Sequence, residues 1–539
     1  MRADFAVRAP TAVMRTSNPW LLLACAAWLL IAAAWRPLML PDEGRYVGVA
    51  WEMLSSGNWQ VPTLDGMPFF HKPPLFYWIS TASMQIFGAH AWAARLASAL
   101  PAIGALVALH AFVRRYRDTR TANLTAVILA TQPFFFGAAQ FANLDMLVAS
   151  MITLTIVFIA DAAIRIEQNI ERNIRHSEGA WRSLTAGYVF AALGVLAKGL
   201  IGWLLPAAVI VVWLALRGKL RVLWHLLKLP QLALTLLIAA PWFLAMQARY
   251  PQFLDYFFVE QHFRRFAGAG FNNAQPLWFY LPVLLALTLP WSLWWLSGLR
   301  LRRQLPNHDG DAGGVRLLMR VWPVVIIGFF SIPQSKLIGY ILPALPPLAF
   351  LLANRVIRWQ SPHPRQSAEL RVGLCAAAAI ALCAGMTVYL GARDPSQLST
   401  LALPDDQRYR PGDQLVMLNQ YPYDLPFYLQ ATRPAWIVDN WDSPAIATRD
   451  NWSKEVKDAG RFDAAAMQQQ LLLPSELLPT MCEKPGTTYW IWGRQDSAER
   501  LSWLSGATRV FSNRKNALWR LPAGAATLSA ACAERPSNG

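Results

Sequence analysis

Residues 229–248 read LPQLALTLLIAAPWFLAMQA. The run carries no charge, and as a helix rising about 1.5 Å per residue it reaches roughly 30 Å, the thickness of bilayer hydrocarbon. Ten comparable runs lie near 20–40, 91–113, 121–139, 143–163, 183–197, 200–216, 277–299, 321–335, 337–354 and 372–392. About eleven transmembrane helices are expected, thirteen at most. The whole chain of 539 residues is 55% hydrophobic and 15% charged. So little polar surface would not cover so much apolar bulk in water. The 25 Trp suit interfacial belts. No cleavable signal peptide is expected, because Pro19 to Leu40 is long and is followed by acidic residues rather than a small-residue cleavage site.

The formal net charge of +17 raises the question of nucleic acid, and the placement of the charge answers it. Basic residues gather in alternate loops: Arg114, Arg115, Arg117 and Arg120; then Arg165, Arg172, Arg175 and Arg182; then Arg217, Lys219, Arg221 and Lys228; then Arg300 to Arg320; then Arg355 to Arg371. This is the positive-inside pattern, so the excess reflects topology and anionic lipid headgroups, and no nucleic-acid partner is expected. With the N-terminus cytoplasmic and eleven crossings, the chain beyond about residue 393 emerges on the outer face of an inner membrane.

Two units follow. Residues 1–392 form the membrane domain, with a long first outer loop at 41–90 and a second at 249–276. In the first loop Tyr46, Val49, Ala50, Met53 and Leu54 recur at helical spacing, as do Leu75, Ile79, Met84 and Phe87, so both stretches are expected as surface-lying helices. Residues 393–539 read as a small α/β periplasmic domain, with strands at Gln414–Leu418, Ala435–Val438, Thr488–Trp492 and Ala517–Leu521 and a helix around Ala464–Leu473. Cys482 and Cys532 fall together in that domain, where a disulfide is permitted; Cys25, Cys375 and Cys383 fall in apolar runs as small fillers.

The polar residues left at the outer ends of the crossings form a set. They occur as Pro41-Asp42-Glu43-Gly44-Arg45-Tyr46, His71-Lys72-Pro73-Pro74, Asn143-Leu144-Asp145, Ala197-Lys198-Gly199, Glu260-Gln261-His262-Phe263-Arg264-Arg265 and Ser335-Lys336-Leu337-Ile338-Gly339-Tyr340. Asp42, Glu43 and Asp145 are candidate catalytic acids, and Arg45, Tyr46, Lys72, Lys198, His262, Arg265, Lys336 and Tyr340 are candidate substrate ligands. A sugar linked through phosphate to a lipid needs such a combination. Cations stabilise the charge developing on the leaving phosphate, and a carboxylate takes the proton of an acceptor hydroxyl. Each residue alone has a structural explanation: Asp42 and Arg45 are spaced as a helix-surface pair, and Lys198, Lys336 and Arg265 are placed to snorkel toward headgroups. The case rests on their falling on one side together. No spacing supplies a metal site, and a divalent metal stays open as a cofactor.

In this order, these segments resemble the membrane glycosyltransferases of the C superfamily, closest to the bacterial aminoarabinose transferase and protein O-mannosyltransferase group. The resemblance runs over about 20–360, with an echo in Tyr421-Pro422-Tyr423-Asp424-Leu425-Pro426-Phe427-Tyr428-Leu429. It implies a helical GT-C membrane fold with a cavity open to the bilayer. It also implies that Asp42 is the essential loop acid, that Lys72 holds the lipid-linked phosphate, and that Arg45, Asp145, Lys198, Arg265, Lys336 and Tyr340 line the same cavity. His71 stands where the aminoarabinose transferases carry an acid, which weakens any metal site using that position.

The expected activity is transfer of one sugar from undecaprenyl phosphate to lipid A or a related glycolipid. The alternatives are transfer to secreted proteins, as in the O-mannosyltransferases, and, outside enzymes, lipid or sugar transport. Transporters place ionisable groups near the bilayer midplane and show internal repeats, and neither feature is evident here.

Overall fold

A computed structural model of the chain describes residues 19–172, 178–264, 274–298, 312–360, 365–394, 396–448, 451–498 and 500–534. Among the described residues, six helices are long and apolar enough to cross a membrane: Ala91–Tyr116, Leu144–Glu171, Glu178–Lys198, Leu229–Arg249, Ile338–Gln360 and Glu369–Gly391. The chain is a multi-pass helical membrane protein with a small sheet near its C-terminus.

Its first part runs α1 (Pro19–Ile31), α2 (Asp42–Ser56), β1 (Thr63–Leu64), β2 (Met67–Pro68), α3 (Leu75–Phe87) and α4 (Ala91–Tyr116). The two helices expected in the first loop are α2 and α3. Acids in the first turn of α2 face the positive end of its dipole, and Gly57 closes it in the left-handed conformation at φ 71°. The β1–β2 hairpin turns on Asp65-Gly66, both at positive φ, the pairing that matches strand twist in a two-residue turn.

Next come α5 (Thr119–Thr131), α6 (Pro133–Ala139), α7 (Leu144–Glu171), α8 (Glu178–Lys198) and α9 (Ile201–Leu216). The run expected as one crossing at 121–139 is two helices bent by 66°. Pro133 forces Gln132 out of the helical region to ψ 123° and supplies no N–H of its own. The run at 277–299 is likewise broken, into Tyr280–Leu287 and a tighter helix at Trp291–Gly298 that follows Pro290. Apolarity marks such stretches without saying that they are continuous.

The C-terminal sheet has the order β5-β4-β3-β6-β8-β7. Strands β3 (Gln414–Leu418), β4 (Trp436–Val438), β5 (Leu471–Leu472) and β6 (Tyr489–Arg494) are parallel, β8 (Asn516–Leu521) pairs antiparallel with β6, and β7 (Thr508–Ser512) pairs antiparallel with β8 at the edge. All five residues of β3 are buried, as in a sheet covered on both faces. Leu415 and Met417 join the main core, which is continuous with α2, whereas Val416 and Leu418 pack on the opposite side with Leu477, Met481 and Leu528. That outer layer is closed by a disulfide between Cys482 and Cys532.

The first loop is fastened to this domain. Trp51 Nε1 donates to the Ala431 carbonyl at 2.8 Å, the Ala435 amide donates to Asp65 at 2.8 Å, and the Leu38 amide donates to the Tyr428 hydroxyl at 3.0 Å. Gly44 and Gly48, one helical turn apart, make the approach possible. A Cβ at Gly44 would lie 3.1 Å from Tyr423 Cβ, and one at Gly48 would lie 3.1 Å from the Tyr423 carbonyl.

Candidate functional site

A cavity of about 1150 Å³ lies between the helices, the first loop and the C-terminal domain. Asp42, Arg45, Tyr46, His71, Lys72, Asp145, Lys198, Gln261 and Tyr340 all line it.

The convergence follows from local structure. Asp42, Arg45 and Tyr46 are spaced three and four apart on α2 and so share a face. The β1–β2 hairpin brings the chain back, so that His71 and Lys72 arrive opposite that face just before α3 begins. Helices α7 and α8 run antiparallel, so the first turn of α7 and the last residue of α8 meet at one end. Asp145 and Lys198 there form an ion pair. The Asn143 side chain caps α7 by accepting from the Asp145 amide at 2.9 Å. Lys198 Nζ stands 4.6 Å from the centre of the Tyr340 ring, a cation–π contact. Gly339 permits this arrangement, because a Cβ there would sit 2.2 Å from Asp145 Oδ2.

Arg45 is shared between two acids. Its Nη2 donates to Asp42 Oδ1 at 2.5 Å, and its Nη1 donates to Glu455 on the Trp452–Gly460 helix of the C-terminal domain. Glu455 also accepts from the Tyr423 hydroxyl at 2.5 Å. His71 lies with its ring centre 4.4 Å from that of Phe69.

Two expected site residues, Glu43 and Lys336, are placed away from the cavity lining. Glu43 is fully buried behind the cavity wall, bound by Arg36, Arg95 and the amides of Met39 and Ala142. Burial alone would raise its carboxyl, but the Arg95 and Arg36 charges outweigh this and hold it at about 2. Its oxygens are taken up by these partners, and its neighbour Asp42 faces the cavity instead. Lys336 is buried too, and its ammonium donates to the carbonyls of Pro333 at 2.5 Å and Gln275 at 2.8 Å. It ties the second loop to the stretch before Tyr340 and does not line the cavity. Arg265 lies outside the described residues, and His262 belongs to the helical segment Asp255–Arg264.

Sequence reasoning missed the far wall. Asn451, Trp452, Lys454, Glu455 and Asp458 line the cavity from one helix of the C-terminal domain. Their spacing of three and four was a signal, but charges on a soluble-looking helix read as a solvated face. Tyr423 lies within the Tyr421–Leu429 motif, though nothing in the motif says that it reaches the cavity. Among the described residues, no group of three or more His, Cys, Asp or Glu is arranged to hold a metal ion.

Comparison with known proteins adds a family context. Residues 28–257 match the family model of dolichyl-phosphate-mannose-protein mannosyltransferases. The undecaprenyl phosphate-alpha-4-amino-4-deoxy-L-arabinose arabinosyl transferase of Pseudomonas aeruginosa is 31% identical over 388 residues, covering 70% of this chain and 66% of the relative. That of Pseudomonas paraeruginosa is 28% identical over 530 residues, 96% of this chain and 86% of the relative. The match spans 60% of the length of the corresponding Pseudomonas fluorescens relative and 66% of the P. aeruginosa one. Among solved structures, ArnT from Cupriavidus metallidurans bound to undecaprenyl phosphate superposes with a TM-score of 0.71 at 23% identity, covering 95% of this chain and 99% of that one. The archaeal oligosaccharyltransferase AglB from Archaeoglobus fulgidus gives 0.53 at 12% identity, over 88% and 69% of the two chains. The chain is thus similar in sequence to aminoarabinose transferases over most of its length and shares the fold of ArnT.

Proposed function

We propose that this protein is a glycosyltransferase that moves one sugar from undecaprenyl phosphate to lipid A or a related glycolipid at the periplasmic face of the inner membrane. The observation that carries the reading is the cavity itself. Lys72, Lys198 and Arg45 enter it from three separate elements together with Asp42 and Asp145, the mixture of cations and carboxylates that phosphate departure and acceptor activation require. The similarity to aminoarabinose transferases supports the donor class.

In this reading an acceptor oxygen attacks the anomeric carbon, the bond from that carbon to the phosphate oxygen breaks, and undecaprenyl phosphate leaves with the bonding pair. Lys72, Arg265 and Tyr340 stabilise the departing phosphate, Lys198 stands beside Tyr340, and His262 is a further substrate ligand in this scheme. Asp42 takes the proton of a hydroxyl acceptor. Where the acceptor is itself a phosphate no proton needs removing, and Asp42 positions it or offsets positive charge developing on the sugar. Asp145 holds Lys198 in place. Lys336 acts as a fastening of the wall, and Glu43 as a strut under α2.

The proposed topology has about eleven crossings, a cytoplasmic N-terminus, a membrane domain over 1–392 and a periplasmic domain over 393–539. Alternating basic loops support it. A cysteine at position 118 should resist an impermeant thiol reagent in intact cells while cysteines at 60 and 450 react. Labelling at 118 would sink the topology. The mannosyltransferase family match favours a second reading, transfer to secreted proteins from the same donor class.

The deciding experiment uses the full-length protein in lipid with an undecaprenyl-phosphate-linked aminopentose and lipid A. A sugar-sized mass gain on lipid A is expected, and Lys72→Ala should lose both donor binding and turnover, by on the order of 10²-fold in rate. Unchanged lipid A together with lost glycoprotein signal in cells lacking the protein would favour the second reading.

A further inference from the structure

Resting on that reading of the cavity, we infer that Glu455, supplied by the C-terminal domain, is a positioning residue that sets Asp42 for the transfer step by anchoring Arg45. The contacts form one chain across the two domains. The Tyr423 hydroxyl donates to Glu455 Oε2 at 2.5 Å, Arg45 Nη1 donates to Glu455 Oε1, and Arg45 Nη2 donates to Asp42 Oδ1 at 2.5 Å. The side chains of Arg45 and Glu455 are largely shielded, at 15% and 13% exposure, while that of Asp42 is 43% exposed. The open end of the chain is therefore the carboxylate facing the cavity, and its far end is locked.

A guanidinium presents its donors in a rigid planar fork, so fixing one edge fixes the direction of the other. With Glu455 in place, Arg45 stacks near the rings of Tyr46 and Tyr423, at 5.1 and 5.9 Å, and offers Asp42 a donor from one direction. Without the Glu455 charge, Arg45 has Asp42 as its remaining acid among these contacts. It would then turn to grip that carboxylate with both edges, drawing it from the acceptor. Reacting groups must be held within a few tenths of an ångström of productive geometry, so this rotation reaches the chemistry although Glu455 touches no substrate in this scheme.

The helix that carries Glu455 is itself clamped. The Asn451 side chain caps it through the Lys454 amide, Lys457 donates to the Trp441 carbonyl at 2.7 Å, and Arg461 reaches Glu260 of the second loop at 3.8 Å. The domain thus grips both loops of the cavity mouth.

The test compares Glu455→Gln, Glu455→Asp and Tyr423→Phe in the full-length protein, each checked by detergent gel filtration. Kinetics use an undecaprenyl-phosphate-linked aminopentose and lipid A, and amide hydrogen exchange is followed over residues 42–46. Glu455→Gln should lower kcat by about tenfold, the effect of one charge-assisted contact, with KM for the donor within about twofold of wild type. Glu455→Asp should recover part of kcat, and Tyr423→Phe should fall in the same direction by less. Should Glu455→Gln not fold, Tyr423→Phe carries the test. A wild-type kcat in folded Glu455→Gln, or a raised donor KM with kcat unchanged, overturns the inference. Absence of transfer by the wild-type protein instead overturns the functional reading, and the inference is then decided by exchange. Faster exchange at 42–46 in Glu455→Gln upholds the anchoring, and unchanged exchange overturns it.

Discussion

Helix α7 carries one aspartate in its first turn and another about two thirds of the way along, and the two are used in opposite ways. Asp161 is surrounded: Arg115 at 2.8 Å, Arg165 at 2.7 Å, the Tyr116 hydroxyl at 2.7 Å and the Ser183 hydroxyl at 2.5 Å all donate to it. In the first turn Asp145 pairs with Lys198 on the wall of the large cavity. The contrast repeats within two consecutive residues of α2, where Glu43 is enclosed by two arginines and two amides while Asp42 faces the cavity. A carboxylate whose lone pairs are all taken binds helices to one another. One that keeps a free side on a cavity wall is available to a substrate.

The comparison breaks most visibly at Glu43. Glu43→Gln leaves Arg36 and Arg95 buried beside a neutral group, and removing one partner of a buried ion pair costs roughly 3–5 kcal/mol. A large fall in the detergent melting midpoint, with aggregation on gel filtration, is expected. A stable Glu43→Gln protein that has lost transfer would instead make Glu43 part of the chemistry.

Asp42 should behave in the reverse manner. Asp42→Asn keeps the size and removes the charge from a side chain that is 43% exposed, so folding should be normal. Donor binding should survive, and transfer should drop on the order of 10²-fold. Near-normal transfer by folded Asp42→Asn would shift the acid role to Asp145.

This pair also shows what the sequence does and does not disclose. Asp42 and Glu43 are adjacent acids in one motif, and no pattern within the motif says which one faces inward. That is settled by Arg95, 52 positions along the chain in α4, whose guanidinium lies 2.9 Å from Glu43. The coarse fold was legible because apolar length and period are local properties: the runs at 200–216 and 229–248 appear as helices at nearly those bounds, and the run at 143–163 begins where expected but continues to Glu171. Strand β3 was legible for the same reason, being a short apolar run between turn residues. The breaks at Pro133 and Pro290 were not, since a membrane helix may carry a proline unbroken, as α9 does at Pro206. Lys336, expected on the cavity, fastens its wall instead, and Glu455, which no motif singled out, lines it, because reach across the fold rather than residue type decides which charge meets the cavity.

Asp161→Asn sharpens the contrast along α7. It should cost about 2 kcal/mol, the penalty for leaving buried donors short of an acceptor, since Arg115 and Arg165 are partly solvated and recover some of the loss. The melting midpoint should fall, while transfer per folded molecule stays near wild type. A specific loss of kcat without loss of stability would mean that the Asp161 cluster is coupled to the cavity along α7.

The smallest effect concerns pH and the seam between the first loop and the C-terminal domain. Burial pushes the Glu52 carboxyl up to about 7, against hydrogen bonds from the Gly66 amide, the Thr63 hydroxyl and the Asp65 amide. Burial and then the nearby Glu52 raise Asp65 well above its usual range, and burial lifts Asp424 to about 7. A carboxyl raised on folding contributes stability that is complete below its unfolded value and is lost as pH rises through the folded one. For Glu52 that window runs from roughly 4.5 to 7, and between about pH 6 and pH 8 the loss is about 1 kcal/mol. Glu43, held at about 2, contributes in the opposite sense, but its window closes well below this range and leaves the comparison untouched. The detergent melting midpoint should therefore decline from pH 6 to pH 8, and Glu52→Gln, which mimics the protonated acid, should make the decline shallower while leaving the share of Asp424. An equal slope in the variant would show that Glu52 is already ionised in the folded protein, and that the seam, like the Asp161 cluster, is held by charge.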